Sequence, residues 1–308
     1  MKYIFGPVFS RRLGISLGVD LVPFKVCSMD CVYCEVGKTT LKTLERKEYI
    51  PVDKVIEELK RFLSKNPPVD FVTFSGYGEP TLNSGLGKVV EFLRAEFPEI
   101  PIAVLTNSSL LFRDDVIEEI KGVNVVLPSF DAASNDVFKK INRPFTDLTV
   151  EIIKKGIRRL RKETDVDIWL ETLFVRGIND SPEEISAVGE FVFEISPERW
   201  QINTVVRPPA YNIEGLSPEE LERIKEIVGY PATDVIGRSS AKRKKMPVED
   251  IKAEILELIK RRPCPVEEIA DALGLLEEEV RIAVDSLVKE GKVKYVMYGE
   301  KKYLKAGS

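Results

Sequence analysis

The sequence predicts an α/β protein: a partial (β/α)6 TIM-like barrel with a small C-terminal winged-helix domain. Three observations predict it. Residues 1–205 alternate short β-branched runs with longer amphipathic stretches. The strand candidates are near-continuous apolar runs, which suits parallel strands buried under helices. Beyond a stretch at 206–246 that breaks this rhythm, residues 247–308 read as three helices followed by a hairpin.

Six strands are expected in the first region, at Ile15–Leu21, Val69–Ser75, Ile102–Thr106, Asn124–Ser129, Val166–Thr172 and Trp200–Thr204. Helical periodicity fills the gaps at Val52–Leu63, Ser84–Phe97, Asp114–Lys121, Leu148–Lys162 and Pro182–Glu194. The last of these opens on Ser181-Pro-Glu-Glu184, a capping box with proline at the first helical position. Six β/α units suit an open barrel better than a closed eight-stranded one. Arg207-Pro-Pro209 cannot continue a strand, and a helix at Pro218–Val228 follows the capping box Ser217-Pro-Glu-Glu220. Arg238–Lys245 holds five positive charges in eight residues and reads as an exposed linker to a separable domain. The final helices are expected at Val248–Arg261, Val266–Leu273 and Glu277–Glu290, and Val293–Leu304 folds as a hairpin around Gly299-Glu300. Ile269-Ala-Asp-Ala-Leu-Gly274 is a helix-turn-helix signature.

Composition narrows the function classes. The chain has 308 residues, 44% of them hydrophobic, enough for one large core and a small second unit. A net charge of −4 gives no global basic footprint for nucleic acid. No apolar run reaches membrane-spanning length, and MKYIFGPVFSRRLG lacks the apolar core of a signal peptide, so a soluble, cytoplasmic protein is expected. There is no histidine, which removes His-based triads, His general bases and His-containing zinc sites together. Gln201 is the single glutamine while charged residues reach 31%, a balance that fits a thermophilic source or ordinary drift.

Four cysteines, three of them within eight residues, make no disulfide framework. Cys27-Ser-Met-Asp-Cys31-Val-Tyr-Cys34 is a C-x3-C-x2-C run. A structural zinc site needs four ligands, and the remaining candidate is Cys264, far off between two helices and better suited to packing. A redox C-x2-C pair leaves Cys27 without a role. Three thiolates in one loop suit a [4Fe–4S] cubane with one open iron, where a substrate or cofactor can bind.

This motif resembles that of the radical S-adenosylmethionine (SAM) superfamily, with Tyr33 as the aromatic before its last cysteine. Phe74-Ser-Gly-Tyr-Gly-Glu-Pro80 resembles the family's glycine-rich segment after the second strand, so Gly76, Tyr77, Gly78 and Glu79 are expected to border SAM. The resemblance implies that SAM's amino and carboxylate groups chelate the open iron. One electron, from a donor such as ferredoxin or flavodoxin, then cleaves SAM to methionine and a 5′-deoxyadenosyl radical. Asn107 lies just past a strand; Ser129, Asp131 and Arg143 resemble the region that reaches SAM's ribose and carboxylate, and Val175 the segment near adenine. Gly6-Pro-Val-Phe-Ser10-Arg-Arg12 and Ser16–Asp20 resemble a subgroup loosely related to tRNA wyosine synthase. That enzyme's second cluster needs further cysteines, and this chain has only Cys264 to offer, so wyosine chemistry is not expected.

For the C-terminal domain the third helix is acidic, through Glu277, Glu278, Glu279, Asp285 and Glu290, which opposes sequence-specific DNA binding. The hairpin is basic, through Lys292, Lys294, Lys301, Lys302 and Lys305. It can meet RNA backbone, grip a protein or peptide, or be merely solvated. Two alternatives to a macromolecule-modifying enzyme stand beside it, a glycyl-radical-enzyme activase and an Fe–S transcriptional regulator. The glycine-rich segment opposes the regulator, which needs no SAM pocket.

Overall fold

A computed structural model of the chain describes residues 2–10, 12–236 and 251–307. In chain order its elements begin with β1 (Ile4–Ser10), β2 (Gly14–Val19), β3 (Val26–Cys27), β4 (Leu41–Lys42) and α1 (Val52–Leu63). Then come β5 (Phe71–Phe74), α2 (Leu86–Glu96), β6 (Ile102–Thr106), α3 (Asp114–Ile120), β7 (Val125–Pro128), α4 (Asn135–Ile141) and α5 (Val150–Glu163). The core closes with β8 (Asp167–Phe174), α6 (Pro182–Ile195), β9 (Arg199–Thr204), α7 (Pro218–Val228) and β10 (Thr233–Val235). Eight strands form one sheet in the order β1-β2-β5-β6-β7-β8-β9-β10, all neighbours parallel except the antiparallel pair β1 and β2. The fold is therefore α/β with a mostly parallel sheet, as expected, and its ends stay open at β1 and β10.

Strand alternation makes two faces. Val72, Phe74, Ile102, Val104, Val126, Ile168 and Leu170 point outward into the main core beneath the helices. Phe71, Ala103, Leu105, Val125, Leu127 and Trp169 line the inner face and form a second, smaller apolar cluster. Above it the inner face turns polar: Glu171 pairs with Arg12 (2.7 Å) and accepts from Asn203 (3.1 Å).

Two edge strands escaped the sequence reading. Pro7 and Gly6 make β1 look like a loop, yet an edge strand tolerates proline, and a bulge between Phe5 and Val8 accommodates it. β10 has only three residues. The short helix α4 buries just Phe138 and Ile141, too little for a visible period. The expected capping box at Ser181 is half formed. Ser181 caps α6, but Glu184 turns instead to the Ala133 and Ser134 N–H groups at the entrance to α4. The box at Ser217 is complete.

The C-terminal unit comprises α8 (Ile251–Arg261), α9 (Val266–Leu273), α10 (Glu277–Lys289) and the antiparallel hairpin β11 (Val293–Tyr298) and β12 (Lys301–Ala306). The linker Arg238–Lys245 and the start of the first helix at Val248 lie outside the described residues. Ile255, Ile259, Ile269, Val280, Val284, Leu287 and Leu304 form its core, which Val8 of β1 joins. Cys264 is fully buried in that core. The unit is tied to the barrel by polar contacts. Arg261 pairs with Asp20 (2.7 Å), Glu268 with Arg207 (2.8 Å), and Tyr303 donates to the Val206 carbonyl (2.6 Å). Among the described residues no helix is long and apolar enough to cross a membrane.

Candidate active site

The three cysteines ride on the loop that follows β2. On one side the short pair β3 and β4 holds it, with Thr43 N–H donating to the Cys27 carbonyl at 3.0 Å. On the other side residues 141–145 run antiparallel to it. Val32 N–H donates to the Ile141 carbonyl (2.9 Å), Asp30 N–H to that of Asn142 (3.1 Å), and Phe145 N–H to that of Ser28 (2.9 Å). Each sulfur then meets a donor: Lys25 Nζ lies 3.0 Å from Cys34 Sγ, Asn107 Nδ2 3.4 Å from Cys27 Sγ, and Asn142 Nδ2 3.5 Å from Cys31 Sγ. Burial pushes the Cys27 thiol up to about 11 and Cys31 higher still. Thiols so placed ionise when a metal takes them, since coordination removes the proton outright.

The donor set decides between metals. A structural zinc ion takes four protein ligands, whereas a cubane with one open iron takes three thiolates, one on each of three irons. Cys264 sits in the other core, too committed to packing to be a fourth ligand. Cys27, Cys31 and Cys34, surrounded by N–H donors, therefore fit a [4Fe–4S] cluster.

The glycine-rich segment leaves β5 and folds back over β2. Gly76 has φ of 111°, and a Cβ there would lie 1.8 Å from Asp20 Oδ1, so only glycine fits. At Gly78 the structure adds a second constraint to the close ligand approach that the sequence suggested. A Cβ there would lie 1.8 Å from the Val26 carbonyl oxygen, immediately before Cys27. The glycine lets this segment close on the cysteine loop itself. Lys25 N–H donating to the Tyr77 carbonyl (2.9 Å) and Glu79 N–H to that of Val26 (3.3 Å) complete the seam.

Glu79 faces the scaffold. Its carboxylate accepts from Thr81 N–H, Thr81 Oγ1, Thr106 Oγ1 and Asn107 N–H, at 3.1, 2.6, 2.7 and 2.7 Å. It thereby joins the ends of β5 and β6 and directs Asn107 toward Cys27. Asp131 is likewise committed: Oδ2 accepts from the Tyr33 hydroxyl (2.5 Å) and Asn142 (2.7 Å), and Oδ1 from Leu173 N–H (2.9 Å). Burial raises it to about 6. The Tyr33–Asp131–Asn142 triangle fastens the cysteine loop to β8.

The remaining expected residues divide. Asn107 and Ser129 continue the inward series of β6 and β7, past the ends of the strands. Val175, at the end of β8, is buried, with its N–H on Asn179 Oδ1 (2.7 Å). Tyr77 packs between Phe24 and Arg261. Arg143 stands apart, with φ of 45° and its guanidinium over the Tyr211 ring (4.3 Å) and near Asp30 (3.5 Å), lining a surface groove. Sequence reasoning missed Lys25, Asn142, Asp20 and Glu171. Asp20 lay inside a motif already singled out and Asn142 is the neighbour of the expected Arg143, whereas nothing marks Lys25 apart from a solvated lysine.

A cubane-ready cysteine loop and a glycine segment at the strand ends of an open parallel barrel define an iron–sulfur enzyme that uses SAM. The model of the radical SAM superfamily matches residues 21–192, and the chain belongs to that superfamily. It groups there with the UPF0026 proteins. It is 34% identical over 310 residues to UPF0026 protein MJ1312 of Methanocaldococcus jannaschii, covering 98% of this chain and 95% of that one. It is also 33% identical over 300 residues to a protein named GTPase Obg from Brachyspira hyodysenteriae, 95% of this chain but only 43% of that longer relative. Among solved structures, a radical SAM methyltransferase from Sphaerobacter thermophilus shares the fold, with a TM-score of 0.54 at 18% identity over 71% of this chain and 66% of that one. The family uses a [4Fe–4S] cluster and SAM, which together supply a one-electron cleavage that yields a carbon radical.

Proposed function

We propose that this radical SAM enzyme modifies a macromolecule, RNA ahead of a peptide or protein, captured by residues 247–308 acting as a winged helix. In this reading residues 1–205 are the catalytic core, and the main chain at Gly76–Gly78 with Asn107, Ser129 and Val175 borders SAM. The observation that carries the RNA reading is on the hairpin. Tyr295 is partly exposed, and Lys302 Nζ, on the same face of the hairpin, sits 3.7 Å from its ring centroid. An aromatic ring beside an ammonium group can stack an unpaired base and meet its phosphate. The three glutamates in the first turn of α10 oppose insertion of that helix into a duplex groove.

A second reading, a protein partner as for a glycyl-radical-enzyme activase, is favoured by Leu276, Ile282 and Met297, all well exposed on the same unit. Untargeted mass spectrometry of tRNA, rRNA and peptides from cells with and without the gene separates the two. A nucleoside modification that disappears with the gene, and is lost in Tyr295→Ala, is expected. A modified peptide with unchanged RNA would replace this reading by the second.

A further inference from the structure

A groove of about 540 Å³ lies against the cysteine loop, lined by Lys42, Lys139, Lys140, Arg143, Phe145 and Leu148 among others. Four cations on one small concavity stand out in a chain of net charge −4. Two of them are main-chain neighbours of the segments that carry the sulfurs. Lys42 pairs in register with Cys27, and the Arg143 carbonyl accepts from Asp30 N–H (3.3 Å), one residue before Cys31. Asn142, adjacent to Arg143, reaches Cys31 Sγ at 3.5 Å. One peptide link and one hydrogen bond thus connect the groove to a ligand sulfur. Lys42 Nζ donates to the Arg143 and Pro144 carbonyls, and Arg143 shares its charge with Asp30. Lys139 and Lys140, in the last turn of α4, are exposed and have no ion-pair partner among the described residues.

We propose that this groove is the docking site of a small acidic electron-carrier protein, of the flavodoxin or ferredoxin kind. The inference rests on the family chemistry and not on the nature of the substrate. That chemistry needs one electron per SAM cleaved. In the function proposed above SAM and substrate fill the barrel mouth, and none of Gly76, Gly78, Asn107, Ser129 or Val175 lines the groove. The electron must therefore arrive by another face. A carrier rich in carboxylates is repelled by an acidic protein as a whole, so a local set of cations beside the cysteines has to overcome that repulsion and orient it. In the step itself one electron leaves the reduced carrier for the cluster, and no atom or proton is transferred. RNA fits this groove less well, because a nucleotide bound here lies away from the mouth where the radical forms.

The test uses full-length reconstituted protein and the pair Lys139→Glu with Lys140→Glu, neither of which touches a cysteine or the glycine segment. Oxidised flavodoxin, titrated at low ionic strength, is expected to bind the wild type and to bind the double variant at least about tenfold more weakly. Wild-type binding should fade as salt rises past about 0.1 M, where screening acts over roughly 10 Å. Flavodoxin-driven cluster reduction, followed by loss of visible absorbance, should slow in parallel while dithionite-driven reduction is unchanged. Equal flavodoxin affinity and equal reduction rates in wild type and double variant would overturn the proposal. So would loss of single-stranded RNA binding with flavodoxin binding intact, which would make the groove an RNA site. Should the charge-reversed pair lose iron, Lys139→Gln with Lys140→Gln gives the same comparison with less perturbation. Failure of dithionite and SAM to yield 5′-deoxyadenosine in the wild type would count against the enzymology, not against the docking site.

Discussion

At the residue scale the site works through polar groups that hold the ligands rather than through groups that wait for substrate. Lys25 is buried with its ammonium 3.0 Å from Cys34 Sγ. A positive charge there favours the more negative, reduced cluster, so Lys25→Met is expected to lower the midpoint potential in a titration followed by electron paramagnetic resonance. An unchanged potential would mean that the ammonium moves away once iron is bound. Asp131 gives a pH signature. Burial holds its carboxyl at about 6, above the ordinary 3.8. A carboxyl with a raised folded-state pKa binds its proton more tightly when folded. Its contribution to stability is therefore greatest at low pH and is lost as pH rises between 3.8 and about 6. The stability of wild type relative to Asp131→Asn, from urea midpoints of the apoprotein, should fall across that window and stay level above it.

At the element scale the decisive contact is between the glycine segment and β3. Because a Cβ at Gly78 collides with the Val26 carbonyl, Gly78→Val is expected to displace Cys27 as well as the SAM edge. Iron per chain and SAM affinity should therefore fall together. Full iron content with weakened SAM binding would restore the simpler view that the glycine only makes room for the ligand. The same logic explains why Gly18 faces Phe5: a Cβ would lie 2.0 Å from the Phe5 ring, so the β1–β2 hairpin closes only over glycine.

At the scale of the whole molecule, the C-terminal unit packs on β1 and pairs with Asp20 just past β2. Arg261 enters a slot made by Asp20 and the rings of Phe5 and Tyr77, at 4.1 and 4.7 Å from the ring centroids. Asp20 Oδ1 in turn accepts from Tyr77 N–H at 3.0 Å, so the unit bears on the glycine segment through one carboxylate. A second tie runs from Glu268 through Arg207 to Glu35, the residue after Cys34. Arg261→Met leaves Asp20 buried without its partner and should cost about 3–5 kcal/mol in denaturant unfolding. Removal of everything from Ile251 onward exposes the same carboxylate and the face of β1, and a chain that aggregates or loses SAM affinity is expected. A truncated core as stable as the full chain would show these ties to be dispensable.

What the sequence determined by itself is the chemistry and most of the fold. Three cysteines at C-x3-C-x2-C spacing, the absence of histidine, and apolar runs separated by amphipathic periods are local patterns, and local patterns survive without a structure. The six inner parallel strands appear within a few residues of their expected positions for that reason. The edge strand β1 did not, since its proline is tolerated only because no strand pairs with its outer edge. Tertiary structure alone decided what Glu79, Asp131 and Gly78 do. Each was expected to border SAM, and each also engages a distant part of the chain: Glu79 the Asn107 N–H, Asp131 Tyr33 and Asn142, Gly78 the Val26 carbonyl. It also decided that Arg261, 241 residues from Asp20, belongs beside the site. Such roles are set by which distant groups burial brings within hydrogen-bond reach, and no spacing along the chain encodes that.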